Sequence, residues 1–355
     1  MCFQYSNIPT FKLSQLEKEA FLLERLNNLT EFHLENCQEY SSLMSKFEKV
    51  GAKVESIEDV PFLPVRLFKH VDFLSTPQNK VIKTMTSSGT SGQAVSRIYL
   101  DKETSALQVK VLSRIVSDFI GSRRLPMLVI DSKSIVSNRK KFSARTAGVL
   151  GFSMFGRDVE FALDDDMSLN LDRVREFVGK YKDENILIFG FTFIVWKHFV
   201  EELERLDTKV NISNGILIHG GGWKQIESQS VSNEEYKKRL FNIANIERVH
   251  NYYGMVEQTG SIFMECEYGF LHASSFSDII IRDHANYDSK GIGKRGLIQL
   301  LSVIPKSYPG HSLLSEDIGK IHGIDDCKCG RKGKYFKVYG RVKNAEMRGC
   351  SDTYT

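Results

Sequence analysis

The sequence lacks the features that mark several large functional classes. It has no excess of one charge: 48 basic residues face 44 acidic ones, and the net charge of +4 is too balanced to imply nucleic acid or an anionic membrane surface as a partner. It has no long hydrophobic run. The longest, from Ile186 to Trp196, is interrupted by Gly190 and Thr192 and falls well short of the roughly 20 residues of a spanning helix. No basic segment followed by an apolar one opens the chain, so no secretory signal is expected. The six cysteines, at 2, 37, 266, 327, 329 and 350, lack the spacing of a disulfide framework. A cytoplasmic protein with free thiols is the expectation. Internal repeats, low-complexity tracts and long Gly/Ser/Pro linkers are also missing.

What is present is ordinary globular material: 41% hydrophobic and 26% charged residues over 355 positions, enough for one large or two unequal domains. Ser14-x-x-Glu17 is a capping-box pattern, and Leu16, Ala20, Leu23 and Leu26 follow at helical spacing. A second helix is expected from Glu31 to Lys49, closed near Gly51, and another from Lys102 to Ile120, ended by Gly121. The two prolines in Ile57–Val65 favour extended chain. Pro126–Asp131, Ile186–Gly190 and Gly215–His219 are continuous apolar runs with helical stretches between, as in buried parallel strands. Asp278–Asp283 and Gly296–Ile304 predict strands of a more antiparallel unit.

Four constellations carry the chemistry. The first is Thr86-Ser87-Ser88-Gly89-Thr90-Ser91-Gly92, a hydroxyl- and glycine-rich loop between two strand-like pieces. Backbone N–H groups and hydroxyls there can converge on phosphate oxygens. Gln93 stands where a Walker lysine would be needed, which excludes a P-loop NTPase. The second is Gly220-Gly221-Gly222 at a strand's carboxyl end, where a flat ligand can approach the backbone. The third is Tyr252-Tyr253-Gly254-Met255-Val256-Glu257. The fourth is Ser315-Glu316-Asp317-Ile318-Gly319 with Gly340-Arg341-Val342-Lys343. Taken singly, the loop could be a polar hairpin turn, the glycines a flexible loop and Asp317 a turn or cap residue.

In this order the four resemble the adenylate-forming superfamily of acyl-CoA synthetases, luciferases and adenylation domains. The chain is closer still to the acyl-protein synthetases of the LuxE family. Residues similar to that branch are Glu58-Asp59-Val60-Pro61 with Phe68-Lys69, Thr86–Thr90, Gly220-Gly221-Gly222-Trp223-Lys224 and Arg348-Gly349-Cys350. The resemblance implies an α/β fold of the superfamily's N-terminal type, with mixed and parallel sheets flanked by helices, a smaller β-rich subdomain, and no mobile C-terminal domain. Its expected parts are a helical segment at 1–80, a nucleotide-binding core at 81–275, a β-rich subdomain at 276–340 and a hinge-like tail at 341–355.

The implied reaction is ATP-dependent activation of a carboxylic acid, expected to be a fatty acid, as an acyl-adenylate. The acyl group then passes to a protein thiol for delivery to a partner such as an acyl reductase. In this reading Thr86 to Gly92 hold the β- and γ-phosphates, Glu257 binds Mg²⁺, Tyr253 and Gly254 face adenine with Gly220–Gly222 opposite, Asp317 accepts the ribose hydroxyls, and Arg341 lies near ribose or phosphate. Val256 replaces the family's usual Thr or Ser, which removes one hydroxyl from the α-phosphate. The chain stops 14 residues after Arg341, so the superfamily's C-terminal catalytic lysine has no counterpart, and Lys343 is the candidate to stand in for it. Cys350 matches the acyl-accepting cysteine of the acyl-protein synthetases. Arg348 would favour its thiolate, the nucleophilic form. A ligase for a polar acid of surface-polysaccharide synthesis and an inactive nucleotide-binding module are the alternatives. Cys327-Lys328-Cys329 has C-x-C rather than C-x₂-C spacing, with His322 and Cys350 as its nearest companions in the sequence. A plain turn is expected there rather than zinc. His219 and His250, which flank the glycine and tyrosine motifs, are expected to be structural.

Overall fold

The capping box at the start of the first helix forms as its sequence predicts. Ser14 Oγ accepts from the Glu17 N–H, and the Glu17 carboxylate accepts from the Ser14 N–H at 2.9 Å. The helix, Gln15–Asn36, buries Gln15, Lys18, Leu22, Leu26 and His33. Of the expected stripe Leu26 is buried and Leu23 half-buried, but Leu16 is 79% exposed and Ala20 is also on the outside. The reason is a buried Asp278, which draws Lys18 and Gln15 inward and rotates the apolar expectation off the helix's true inner face. The helix also runs past Glu31 and breaks at Cys37, whose extended backbone (φ −134, ψ 102) separates it from a short helix, Gln38–Met44.

This computed structural model describes residues 7–46, 53–87, 94–137, 144–223 and 230–342. They fall into two units. Unit 1 comprises residues 1–115, 254–264 and 270–346; unit 2 comprises 116–253, 265–269 and 347–355.

Unit 2 is built on parallel strands. Leu125–Ser132 lies between Gly156–Leu163 and Ile186–Phe191, followed by Gly215–Gly220 and Arg248–Tyr253. The register runs Leu128↔Ile188 and Ile188↔Leu217. These strands have no polar alternation because helices cover such sheets on both faces. Val174, Phe177 and Val178 on the helix Leu171–Lys180 supply part of that cover. The helical stretch predicted after Gly190 forms in three pieces, Thr192–Val195, a π turn Trp196–Val200, and Glu201–Arg205.

Unit 1 is mainly antiparallel, with Leu63–Pro64 added in parallel to Ser312–Ile324. Its strand order is Ser289–Lys290, Ser277–Arg282, Arg295–Ser302, Ser312–Ile324, Lys334–Arg341 and Leu271–His272. A separate hairpin pairs Val81–Thr86 with Arg97–Asp101. The segment after Ser56 is less extended than its prolines predict. Ser56 Oγ caps a short 3₁₀ turn, Ile57–Asp59, by accepting from the Glu58 N–H at 3.2 Å, and only Leu63–Pro64 is strand. The helix Lys102–Ile120 stops at Gly121, whose φ of +85° suits glycine alone among the common residues. Among the described residues no helix is long and apolar enough to cross a membrane.

Candidate active site

In unit 1 the hydroxyl-rich hairpin and the Tyr-Gly motif meet. Thr86 and Arg97 form the last register pair of the hairpin. Beyond them, the Ser87 N–H donates to the Ser96 carbonyl at 3.1 Å, and the Ser96 N–H donates to Ser87 Oγ at 2.9 Å. This double link closes the neck of the loop. Ser96 then donates its own hydroxyl to Glu257 Oε1 at 2.6 Å. Both side chains are buried, Ser96 at 0% and Glu257 at 1% exposure. A short hydrogen bond onto a buried carboxylate is of the charge-assisted, stronger kind. Glu257 sits in a 3₁₀ turn, Val256–Gln258. The turn is held from outside: Gln258 Nε2 donates to the Leu300 and Gly310 carbonyls, and the Tyr308 hydroxyl donates to the Glu257 carbonyl at 2.9 Å.

Asp317 and Arg341, widely separated in the sequence, are register partners on the strands Ser312–Ile324 and Lys334–Arg341. Arg341 Nε donates to Asp317 Oδ1 at 3.0 Å, and Asp317 is 3% exposed. Asp317 therefore stands in a strand, not at a turn or helix cap. Gly254 also lies in unit 1, one residue beyond the strand that carries the tyrosines.

In unit 2 the strand Gly215–Gly220 delivers the glycine run. A Cβ at Gly220 would stand 2.3 Å from the Tyr252 ring, so the glycine is what lets that ring lie against the strand. Gly221 has φ +76° and continues the turn into Gly222 and the buried Trp223. Tyr252 and Tyr253 alternate across the strand. Tyr253 has no exposed surface, and it is Tyr252 that covers Gly220. His219 pairs with Thr192 Oγ1 at 2.9 Å, and burial pushes its pKa down to about 3, so it is a neutral imidazole, with its Nε2 buried and unpartnered among the described residues. His250 Nδ1 contacts the Glu265 carbonyl at 2.9 Å.

The family described as acyl-protein synthetase, LuxE, matches residues 5–355. The chain belongs to the LuxE family. The long-chain-fatty-acid–luciferin-component ligase of Vibrio harveyi is 23% identical over 347 residues, covering 95% of this chain and 88% of that protein. Its namesake from Aliivibrio fischeri is 20% identical over 332 residues, covering 90% and 84%. Among solved structures, a 2-hydroxyisobutyryl-CoA ligase in its postadenylation state superposes with a TM-score of 0.72 at 16% identity, covering 95% of this chain and 70% of that one. The α/β fold expected from the sequence is thus the fold observed, and the chain is a member of the acyl-protein synthetase, LuxE, family.

Of the expected site residues of this LuxE chain, Thr86, Ser87, Gly220, Gly221, Gly222, Tyr253, Gly254, Glu257, Asp317 and Arg341 are described. Ser88, Gly89, Thr90, Ser91, Gly92, Lys343 and Cys350 lie outside the described residues. Ser96 was not anticipated, yet its signal was available. Along the strand it shares a face with Ile98 and Leu100, both buried, and a hydroxyl on such a face requires a partner. The C-x-C pair also departs from expectation. Its histidine neighbour is His272, whose Nε2 lies 3.3 Å from Cys329 Sγ, while His322 instead meets the Tyr339 hydroxyl at 2.9 Å.

Proposed function

We propose that this LuxE chain activates a carboxylic acid, of the fatty-acid class, with ATP and Mg²⁺, and then carries the acyl group on Cys350. The observation that supports the first half is the Ser87–Ser96–Glu257 chain of hydrogen bonds in unit 1. It couples the neck of the Ser/Thr/Gly loop to the one carboxylate of the Tyr-Gly motif. A loop for the β- and γ-phosphates and a carboxylate for their metal must be held in register, because phosphoryl transfer depends on positioning and electrostatics. Glu257 offers Mg²⁺ the hard oxygen donor it prefers, on a side chain already oriented by Ser96.

The reaction balances in two steps. A carboxylate oxygen of the acid attacks the α-phosphorus, the bond to the bridging oxygen breaks, and pyrophosphate leaves with that electron pair. The Cys350 thiolate then attacks the acyl carbon, and AMP departs with the electrons of the acyl–oxygen bond. On unit 1, Thr86 to Gly92 take the terminal phosphates, and Asp317, steadied by Arg341, takes the ribose hydroxyls. On unit 2 we assign the adenine face to Gly220–Gly222 with Tyr252, because Tyr253 is fully buried. The acceptor that finally removes the acyl group is a partner protein of the acyl-reductase kind. ATP–pyrophosphate exchange across a panel of acids tests the reading. Exchange with long-chain fatty acids supports it, exchange only with polar acids assigns the chain to a different substrate class, and no exchange with any acid marks a nucleotide-binding module.

A further inference from the structure

Outside the ligase motifs, the loop joining Ser312–Ile324 to Lys334–Arg341 carries Cys327 and Cys329. The loop turns at Gly330, whose φ is +80° and whose N–H donates to the Cys327 carbonyl at 2.9 Å. The neighbouring strand Leu271–His272 pairs with Lys334–Arg341 through His272↔Tyr335, which brings the imidazole to the loop. The ligand atoms of His272, Cys327 and Cys329 lie within 4.8 Å of one another, and the closest contact, His272 Nε2 to Cys329 Sγ, is 3.3 Å. A tetrahedral centre with Zn–S of about 2.3 Å and Zn–N of about 2.0–2.1 Å has an S···N edge of about 3.6 Å. The three donors are thus already spaced to close on one ion with shifts on the order of 1 Å.

The imidazole itself calls for a ligand. His272 is 0% exposed, stacked on Tyr335 (5.8 Å between centroids, 25° between planes) and edge-on to Phe11. Its Nδ1 is buried without a hydrogen-bond partner, and its Nε2 faces only a sulfur. A buried imidazole nitrogen that faces only a thiol is poorly satisfied, and an ion held between Nε2 and the sulfurs satisfies it.

We propose that His272, Cys327 and Cys329 bind one Zn²⁺ as a structural centre. Thiolate and imidazole donors select a borderline-soft ion and disfavour Mg²⁺ or Ca²⁺, which take oxygen. A closed structural site takes a fourth donor beside these three. Each coordinating thiol loses its proton to solvent as its Zn–S bond forms. The resulting negative charge falls in a loop that carries Lys328, Arg331 and Lys332. The centre pins the loop at the base of the strand whose far end presents Arg341 to Asp317. It is structural rather than catalytic, and its occupancy is independent of ATP use.

Elemental analysis of the full chain purified from zinc-supplied cells reads the proposal. The expected result is about one zinc per chain, retained on dialysis without chelator. Cys329→Ser and His272→Ala should each bind zinc at least about 10-fold more weakly, whereas Cys37→Ser, a buried thiol elsewhere in the fold, should keep it. Because the ligand variants could fail to fold, the wild-type chain loaded with Co²⁺ gives a second reading. Strong visible bands of a tetrahedral ion with a thiolate charge-transfer band, displaced by Zn²⁺, support the site. A zinc-free wild type that also gives no such Co²⁺ spectrum overturns it, as does full zinc retention in folded Cys327→Ser and Cys329→Ser.

Discussion

The strands Ile186–Phe191 and Gly215–Gly220 of unit 2 bury isoleucine, leucine and phenylalanine with His219 as the polar exception, whereas the strands of unit 1 bury Asp278, Gln299, Ser302, Ser315, Asp317 and Lys334. The two regions are stabilised differently. Unit 2 rests on apolar area and close packing. Unit 1 rests on polar groups that must find one another. Asp278 is the clearest case. Fully buried, it faces Lys18 Nζ at 3.5 Å and Lys334 Nζ at 3.6 Å, and accepts from Gln15 Nε2 at 2.6 Å and its neighbour's N–H at 2.8 Å. Burial alone would raise its pKa; the two lysines, with the hydrogen bonds from Gln15 and the Ile279 N–H, outweigh that and hold it below its ordinary value. The difference teaches where substitution is tolerant. A core of hydrocarbons loses stability in proportion to what is removed, while a buried charge cluster loses most when one member is removed alone.

Substitutions in both units probe that contrast, the largest effect first. Asp278→Ala leaves Lys18 buried without its anion and Lys334 with Glu19 alone, and should cost about 3–5 kcal/mol, against about 2–5 kcal/mol for Leu217→Ala in unit 2; urea unfolding measures both. A double replacement, Asp278→Leu with Lys18→Met, should recover much of the loss, because an apolar substitute of similar volume removes the desolvation cost. The pH dependence follows with a definite sign. A carboxyl held below its unfolded pKa contributes stability that is complete above about pH 4 and disappears as pH falls through the folded value. Asp278→Asn should therefore flatten the acid limb of the stability–pH curve, and an unchanged limb would show that Asp278 is not what shapes it. Next in size, Gly220→Ala must displace the Tyr252 ring, 2.3 Å from the new methyl, at a cost of about 1–3 kcal/mol. The smallest effect on stability belongs to Ser96→Ala. It removes one hydrogen bond to a buried carboxylate, and its signature should be an adenylation rate lower by about 10-fold or more, from the roughly 1.5–3 kcal/mol such bonds contribute. If exchange is unaffected while stability falls, Ser96 is scaffold only.

The same contrast explains what could be read from the chain beforehand. Unit 2 was legible because parallel strands between helices are continuous apolar runs, and Leu125–Ser132, Ile186–Phe191 and Gly215–Gly220 fall where those runs lie. The capping box at Ser14 was legible because it is local. Unit 1 was legible only in part. The inner face of the first helix was set by Asp278, more than 260 positions away from Gln15, and no helical period contains that information. The pairing of Asp317 with Arg341 and of Cys329 with His272 depends on strand register, which single residues do not disclose. The motif glycines and Glu257 could be named from their order along the chain, but the serine that ties Glu257 to the loop needed the fold.

The central claim is that one chain performs two separable half-reactions, adenylation on the folded core and acyl transfer to Cys350. The direct test is to measure ATP–pyrophosphate exchange and hydroxylamine-labile acyl labelling side by side in wild type and Cys350→Ala, with Cys37→Ala, outside both the site and the zinc cluster, as a control thiol. The account predicts that Cys350→Ala keeps exchange at the wild-type rate and loses the label, while Cys37→Ala, provided it folds, keeps both. A Cys350→Ala chain that still labels fully would contradict it.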